Sequence, residues 1–463
     1  MEKEAPEADT ERLQRQREGD SKRKLEGGSR GREACLIRQN AKAAVTDKAA
    51  ASSTSVKAKK AAGKAAADLK TKGEKSTAKE AKEKIVGKTI LKKGKVPVDP
   101  ECPFKESMHV YCSDGDIWDC MLNQDLITLI ADVKAMEAAV VEMKYDAKKA
   151  PLYELTKAQI KQGYSALKDD IETLIKAGKY SSELTEACNA FYTRIPHDFG
   201  MKPPERIVSL DTLKAKIDLL EALGDIEIAV NVLKKGDQSI HPIDRMYLSL
   251  ECDLEPMDKS CDIYKLLQSY LLNTHGSTHN HYSIKLLDIF HCYKDQPSGP
   301  DVGNKMLLWH GSRLTNWVRI LAKGLRIAPP EAPVTGYVFG KGVYFADCSS
   351  KSANYCFPTK MKNVGLLLLN EVTLGQQNEL VSSNYHANKL PKGKHSVKGC
   401  GKMAPSQEGN TDLDGVTVPC GRLKETGIVN SSGYTLQYHE YIVYNTNQIK
   451  MKYLLKVKFN FHH

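Results

Sequence analysis

No Phe, Tyr or Trp occurs among residues 1–95, and Lys and Ala dominate Ala41 to Lys95. Such a segment lacks the apolar area needed to offset the entropy of ordering its backbone. Residues 1–95 are therefore expected to form a disordered arm, and any core must be built from residues 96–463. Charge is segregated in the same way. Residues 1–100 hold 26 Lys+Arg against 15 Asp+Glu, whereas residues 101–463 hold 42 of each sign, so the formal +11 belongs to the arm. A basic arm suits the neutralisation of phosphates, with binding that weakens as salt rises. Ser21-Lys22-Arg23-Lys24 and Lys92-Lys93-Gly94-Lys95 also suit nuclear import. A solvated linker is the plainer reading of the same charge run.

Several classes fall away. No apolar run approaches the ~20 residues of a membrane helix, and Met1-Glu2-Lys3-Glu4-Ala5-Pro6 opens no apolar signal core, so neither membrane insertion nor secretion is expected. The twelve cysteines include no C-x-x-C pair. That argues against a zinc ribbon or finger and for reduced thiols in a cytosolic or nuclear protein. His279-Asn280-His281 has no third ligand in view, so no metal is expected.

At 463 residues the chain suits two or three domains. His109 to Cys112 and Ile117 to Leu122 read as two short strands around the turn Ser113-Asp114-Gly115-Asp116. From Asp125 the apolar period becomes helical: Leu126, Leu129, Ile130, Val133, Met136, Val140 and Met143 share one face. Thr156 with Gln159 fits a capping box for a helix striped by Ile160, Tyr164, Leu167, Ile171 and Leu174. A third stripe uses Leu213, Ile217, Leu220, Leu223 and Ile226, and the pattern ends near Lys235. These helices imply a bundle. After His241, short apolar runs alternate with Gly, Pro, Asn and Ser clusters, which predicts a compact antiparallel β domain with few helices.

Common nucleotide and metal signatures are absent: there is no G-x-x-x-x-G-K-[ST], no G-x-G-x-x-G opening a helix and no H-E-x-x-H. Three segments concentrate polar groups instead. Leu307 to Arg313 ends an apolar strand on His310, Gly311 and Ser312; Gly336 to Tyr355 sets tyrosines and hydroxyls among glycines; Tyr434 to Tyr444 carries Glu440 inside an aromatic strand. A carboxylate there is costly unless it is exposed or has a polar task. On pattern alone, exposure on an edge strand is the simpler reading.

The segments LLWHGSR, GLRIAPPEAPVTGYVFGKGVYFAD, SKSANYCF, GKHSVKGCGKMAPS and YTLQYHEYIVYN resemble the catalytic domain of the poly(ADP-ribose) polymerases. EMKYDAKKAPL, CNAFYTRIPHDFG and LLEALGDIEIA resemble that family's helical regulatory domain. VPVDPEC and the short basic N-terminus resemble the branch of the family without zinc fingers. The resemblance covers about Val96 to Phe461. It implies a multidomain α+β chain: a basic arm (1–95), a remnant of a Trp-Gly-Arg-named domain (96–124), an all-α regulatory bundle (125–240) and a mixed α+β, largely antiparallel ADP-ribosyltransferase domain (241–463).

The resemblance also implies roles. NAD+ is the substrate and no metal takes part. His310, Tyr344 and Glu440 form the catalytic triad. His310 bonds the adenosine ribose, Gly311 and Ser352 clamp the nicotinamide amide, and Tyr355 and Tyr344 flank the nicotinamide ring. Ser312, Asn316 and Arg326 lie near the adenosine end; Tyr337 and Lys351 complete the set. Glu440 orients the nicotinamide ribose and activates the acceptor hydroxyl. The implied activity is poly(ADP-ribose) synthesis on protein acceptors, including the chain itself and histones, in a nuclear DNA-damage response restrained by the regulatory helices. DNA breaks are the implied partner, here through the basic arm.

The sequence departs from the family at three places. Between Gln124 and Asp125 relatives carry most of a domain of about a hundred residues that grips DNA ends, so DNA sensing is expected to be impaired. Arg319 stands where relatives have glycine near the adenosine, a cation expected either to weaken NAD+ binding or to point to solvent. The ending Phe459-Asn460-Phe461-His462-His463 lacks the Leu/Trp tail that docks an accessory factor for serine targeting, a further partner of the family. The alternative is a DNA- or chromatin-binding scaffold with an idle transferase domain. A mono-ADP-ribosyl transferase is disfavoured by the presence of Glu440.

Overall fold

Helical periodicity is realised first in α1 (Ile117–Ala131) and α2 (Val133–Glu142), separated by Asp132, whose side chain accepts the Ala135 N–H at 3.0 Å as an N-cap. The structure is a computed structural model that describes residues 117–235, 239–334, 337–431 and 436–462, all within a unit spanning Val98–His463. The expected arm over 1–95 and the strand His109 to Cys112 lie outside the described residues.

The strand expected over Ile117 to Leu122 is helix. A six-residue apolar run does not distinguish the two periods, and tertiary docking decides between them. Leu126, Ile127 and Ile130 are buried on one face of α1, the Asn123 amide donates to the Leu254 carbonyl at 3.0 Å, and Asp125 pairs with Lys456. The junction expected between Gln124 and Asp125 therefore falls inside a continuous helix that is anchored on both sides of it.

α3 (Lys157–Ser165) starts at the expected capping box: the Gln159 N–H donates to the Thr156 hydroxyl at 3.3 Å and the Thr156 N–H to the Gln159 side chain at 2.9 Å. It runs on through a π-helical stretch, Ala166–Glu172, and a last α turn, Thr173–Lys176. The wider π turn advances the buried face by one residue, so Ile175 and not Leu174 is the next buried apolar position after Ile171. α4 (Ser182–Arg194) follows, then α5 (Leu210–Lys235), whose Leu213, Ile217, Leu220, Leu223 and Ile226 are all fully buried as the stripe predicts.

Two further helices, α6 (Pro242–Leu250) and α7 (Asp262–Asn273), bracket β1 (Asp253–Pro256) and lead into β2 (Tyr282–Tyr293) and β3 (Lys305–Gly311). After α8 (Trp317–Lys323) come β4 (Val343–Phe345), α9 (Ser349–Ala353), β5 (Val364–Thr373), β6 (Gln377–Leu380), β7 (Ser396–Gly399) and β8 (Gly401–Pro405). The last strands are β9 (Asn410–Leu413), β10 (Val416–Pro419), β11 (Leu423–Glu425), β12 (Leu436–Tyr438), β13 (Glu440–Val443) and β14 (Ile449–Phe461).

They form a seven-stranded sheet in the order β1-β2-β14-β5-β3-β10-β9, a four-stranded sheet β4-β13-β7-β6 and a three-stranded sheet β11-β8-β12. Pairing is antiparallel except for β3–β10, β6–β7 and β8–β12. The fold is multidomain α+β, with a helical region followed by a largely antiparallel catalytic region.

Leu366 to Leu369 shows how the large sheet is built. All four are fully buried, with Leu366 and Leu368 facing the core shared with the helices and Leu367 and Leu369 the opposite core around Tyr270 and Trp309. Covered on both faces, such a strand reads as an unbroken apolar run.

Candidate active site

The end of β3 sets the site. Trp309 exchanges two backbone hydrogen bonds with Ala346 (2.8 and 3.1 Å), clipping the large sheet to the chain just past β4. This brings His310 beside Tyr344, whose carbonyl lies 3.0 Å from Nδ1 of His310. A carbonyl only accepts, so Nδ1 carries the proton. Burial holds this imidazole below its ordinary pKa, against the pull of the carbonyl. The ring is thus neutral, and Nε2 is left as an acceptor on the cleft wall.

Gly311 comes next, and its identity is forced. A Cβ there would lie 1.9 Å from the Ser352 carbonyl oxygen. β3 and α9 approach to backbone contact at this point, which any side chain would prevent. The Ser352 hydroxyl donates to the Trp309 carbonyl at 3.0 Å, so Ser352 sits buried behind Gly311.

Tyr344 presents a ring to the cleft because its hydroxyl is engaged. It donates to the Gly340 carbonyl at 2.7 Å and accepts the Phe339 N–H at 3.0 Å. Tyr355, just past α9, is half-exposed on the same cleft.

Glu440 is not on an edge. β13 lies between β4 and β7, with Glu440 paired to Gly399, and the residue is only 8% exposed. What makes its burial tolerable is Lys351, whose Nζ lies 2.7 Å from Oε1 and also donates to the Tyr438 carbonyl at 3.2 Å. Lys351 fixes the carboxylate from behind, and Glu440 lines the cleft.

These residues line one cleft of about 270 Å³. His310, Gly311, Ser312, Asn316, Arg326, Tyr337, Tyr344, Tyr355 and Glu440 face it, while Lys351 and Ser352 support it from behind. The Asn316 amide donates to the Ser312 hydroxyl at 2.9 Å, which fixes that pair on one wall. Tyr434 and Thr435 of the third segment lie outside the described residues.

Among the described residues no three His, Cys, Asp or Glu side chains gather to hold a metal ion. His279 is engaged with the Ser350 hydroxyl at 2.7 Å.

The sequence did not reveal that α5 supplies part of the cleft. Asp218, Glu221 and Asp225 lie on the face of α5 turned to it. Tyr337 donates to Glu221 at 2.7 Å, and Lys214 sits over the Tyr337 ring at 5.5 Å. Arg326 donates to Asp225 at 3.0 Å. Arg319 does not point to solvent: it is 9% exposed and its Nε lies 3.4 Å from the same Asp225 oxygen. Burial pushes the Asp225 carboxyl up to about 7, against the pull of Arg326 and Arg319 and with a further push from Glu221. The helical region also meets the segment after α8, where Lys168 donates to the Pro330 carbonyl at 3.0 Å and Lys161 pairs with Glu331 at 2.8 Å. The i, i+3, i+7 spacing of Asp218, Glu221 and Asp225 was a usable signal. A charged stripe is ordinarily a solvated face, and only the fold shows that this one meets a second domain.

Two family descriptions match the chain: "Poly(ADP-ribose) polymerase, regulatory domain" over residues 122–247 and "Poly(ADP-ribose) polymerase catalytic domain" over residues 261–459. Human Poly [ADP-ribose] polymerase 2 is 58% identical over 342 residues, covering 73% of this chain and 58% of that protein. Poly [ADP-ribose] polymerase 1 of Gallus gallus is 48% identical over 345 residues, covering 73% and 34%. Poly [ADP-ribose] polymerase 2 of Zea mays is 47% identical over 346 residues, covering 72% and 52%. The chain thus spans 34% to 58% of the length of these curated relatives. With one match over the helices that close the cleft and another over the sheets that build it, the chain belongs to the poly(ADP-ribose) polymerase family.

Proposed function

We propose that the chain is an NAD+ ADP-ribosyltransferase that modifies protein acceptors, itself and histones included, and elongates poly(ADP-ribose) in a nuclear DNA-damage response. The observation that carries this reading is Glu440, buried in the cleft, held by Lys351 and sharing that cleft with His310 and Tyr344. His310 Nε2 accepts from a ribose hydroxyl. The backbone of Gly311, with Ser352 behind it, receives the nicotinamide amide, and the rings of Tyr344 and Tyr355 flank the nicotinamide. The bond from nicotinamide nitrogen to ribose carbon breaks with its electron pair leaving on the neutral nicotinamide, so no strong acid is required. Positive charge develops on the ribose as in glycoside cleavage, and Glu440 stabilises it. The acceptor oxygen forms the new bond, and its proton passes to the Glu440 carboxylate and on to solvent.

With α5 docked, Tyr337 and Arg326 are held through Glu221 and Asp225. Those are residues the dinucleotide needs, so the helical region restrains the enzyme, and activation is a shift to a state with α5 withdrawn. DNA contact through the basic arm, weakened by the missing sensor, is the proposed signal. The same contacts favour one alternative, a DNA- or chromatin-binding scaffold whose transferase stays idle. Incorporation of labelled NAD+ into protein by the full chain, with and without nicked DNA, separates them. Incorporation is expected, with long polymer lost in Glu440→Gln. Long polymer from Glu440→Gln would sink the assignment, and DNA binding without any incorporation would favour the scaffold.

A further inference from the structure

Asp225 is shared by two guanidiniums, and the second of them has no task in the transfer reaction. Arg326 Nη2 and Arg319 Nε reach the same oxygen, Oδ1, at 3.0 and 3.4 Å. Arg319 also donates to the Gly324 carbonyl at 3.4 Å, just past the end of α8. It is therefore fixed to the transferase wall, while Asp225 belongs to α5. With Glu221 also acting on Arg319, the two buried or half-buried cations are offset in a poorly solvated place by carboxylates of α5, chiefly that of Asp225. When α5 withdraws, those carboxylates leave with it and both guanidiniums stay.

A phosphate group matches such a pair. It is dianionic, and its oxygens accept from the planar forks of two arginines. The position on the cleft narrows the choice of phosphate. Arg319 lies one helical turn beyond Asn316 and joins Ser312, Asn316 and Arg326 on the wall assigned to the adenosine end. An arginine near the adenosine ribose accommodates a 2′-phosphate on a dinucleotide.

We infer that Arg319 is a specificity-determining residue. With Arg326 it forms an anion subsite that Asp225 fills while α5 is docked and that the 2′-phosphate of a phosphorylated dinucleotide (NADP+) fills when α5 is withdrawn. This rests on the dinucleotide reading of the cleft. Transfer from such a substrate breaks and forms the same bonds as transfer from NAD+; the 2′-phosphate is untouched and leaves no 2′-hydroxyl on the transferred unit.

The test is calorimetric binding of two unreactive probes, 2′-phospho-ADP-ribose and ADP-ribose, to the full chain and to variants. In Asp225→Asn, which neutralises the internal occupant, the phosphorylated probe is expected to bind about tenfold more tightly. Docking of α5 weighs on both probes alike, so the unaltered chain is expected to show the same preference. Adding Arg319→Gly to Asp225→Asn removes the preference, and Arg319→Lys, which keeps the charge and the apolar stem, reduces it about threefold. A preference that Arg319→Gly and Arg319→Lys both leave unchanged overturns the inference, as does the absence of any preference. If the Asp225→Asn protein is folded and binds neither probe, the dinucleotide reading itself fails and takes the subsite with it.

Discussion

At the scale of single residues, Lys351 and Glu440 make an asymmetric pair. Glu440→Gln leaves Lys351 its bond to the Tyr438 carbonyl, whereas Lys351→Met strips the buried Glu440 carboxylate of its cation. Removing one partner of a buried ion pair costs about 3–5 kcal/mol when the other charge is stranded. Urea denaturation is therefore expected to show Lys351→Met as the less stable variant by at least about 1 kcal/mol. Equal midpoints with equal slopes would mean that solvent already satisfies Glu440. Both variants are expected to lose transfer activity, so the stability difference is the informative readout. Glu440 is visible in the sequence as an anomaly, a carboxylate among Tyr438, Tyr441 and Ile442. Its partner is not, because Lys351 lies 89 residues away in the numbering and meets it only once α9 is set beside β13.

At the scale of elements, α5 is held to the cleft by contacts with a definite pH dependence. The docked Asp225 carboxyl titrates near 7, above its ordinary 3.8, because burial outweighs the two arginines. A raised carboxyl pKa means that the docked form keeps its proton where the released form has lost it. The contribution to docking is complete below about pH 4 and is lost as pH rises through 7. Asp225→Asn cannot ionise, so between pH 5 and pH 7.5 the unaltered chain should lose stability relative to it, on the order of 2–4 kcal/mol. Thermal midpoints of both proteins at the two pH values check this, and a constant difference between them would refute it. The elements themselves are largely legible in the sequence. The stripes of α3 and α5 and the capping box at Thr156 come from helical periodicity alone, and the strands after His241 from short apolar runs between turn residues. The start of α1 is not legible, because a short apolar run carries no period of its own and docking on Leu254 and Lys456 is a long-range fact.

For the whole molecule, the question is whether helices that restrain a cleft form a separate cooperative unit. The apolar core answers it. Leu126 and Ile130 of α1, Met246 and Leu250 of α6, and the α5 stripe belong to one buried cluster with Phe290, Leu308, Leu366, Leu368 and Leu454 of the large sheet. Among the described residues, no apolar boundary separates the bundle from that sheet face. In contrast, α5 meets the cleft through Glu221 and Asp225, groups that water can satisfy once they are released. Breaking the core contacts costs about 25 cal/mol for each Å² exposed, whereas exchanging polar contacts for water costs far less net. The polar clasp at the cleft can thus open locally, whereas global unfolding engages the α5 stripe, the rest of the bundle and the sheet together. Scanning calorimetry of the full chain is expected to give one endotherm with matching calorimetric and van't Hoff enthalpies. Two separated endotherms, with the first abolished by a substitution confined to the α5 stripe such as Leu220→Ala, would show that the bundle folds on its own, and restraint of the cleft would then be the docking of an independent domain.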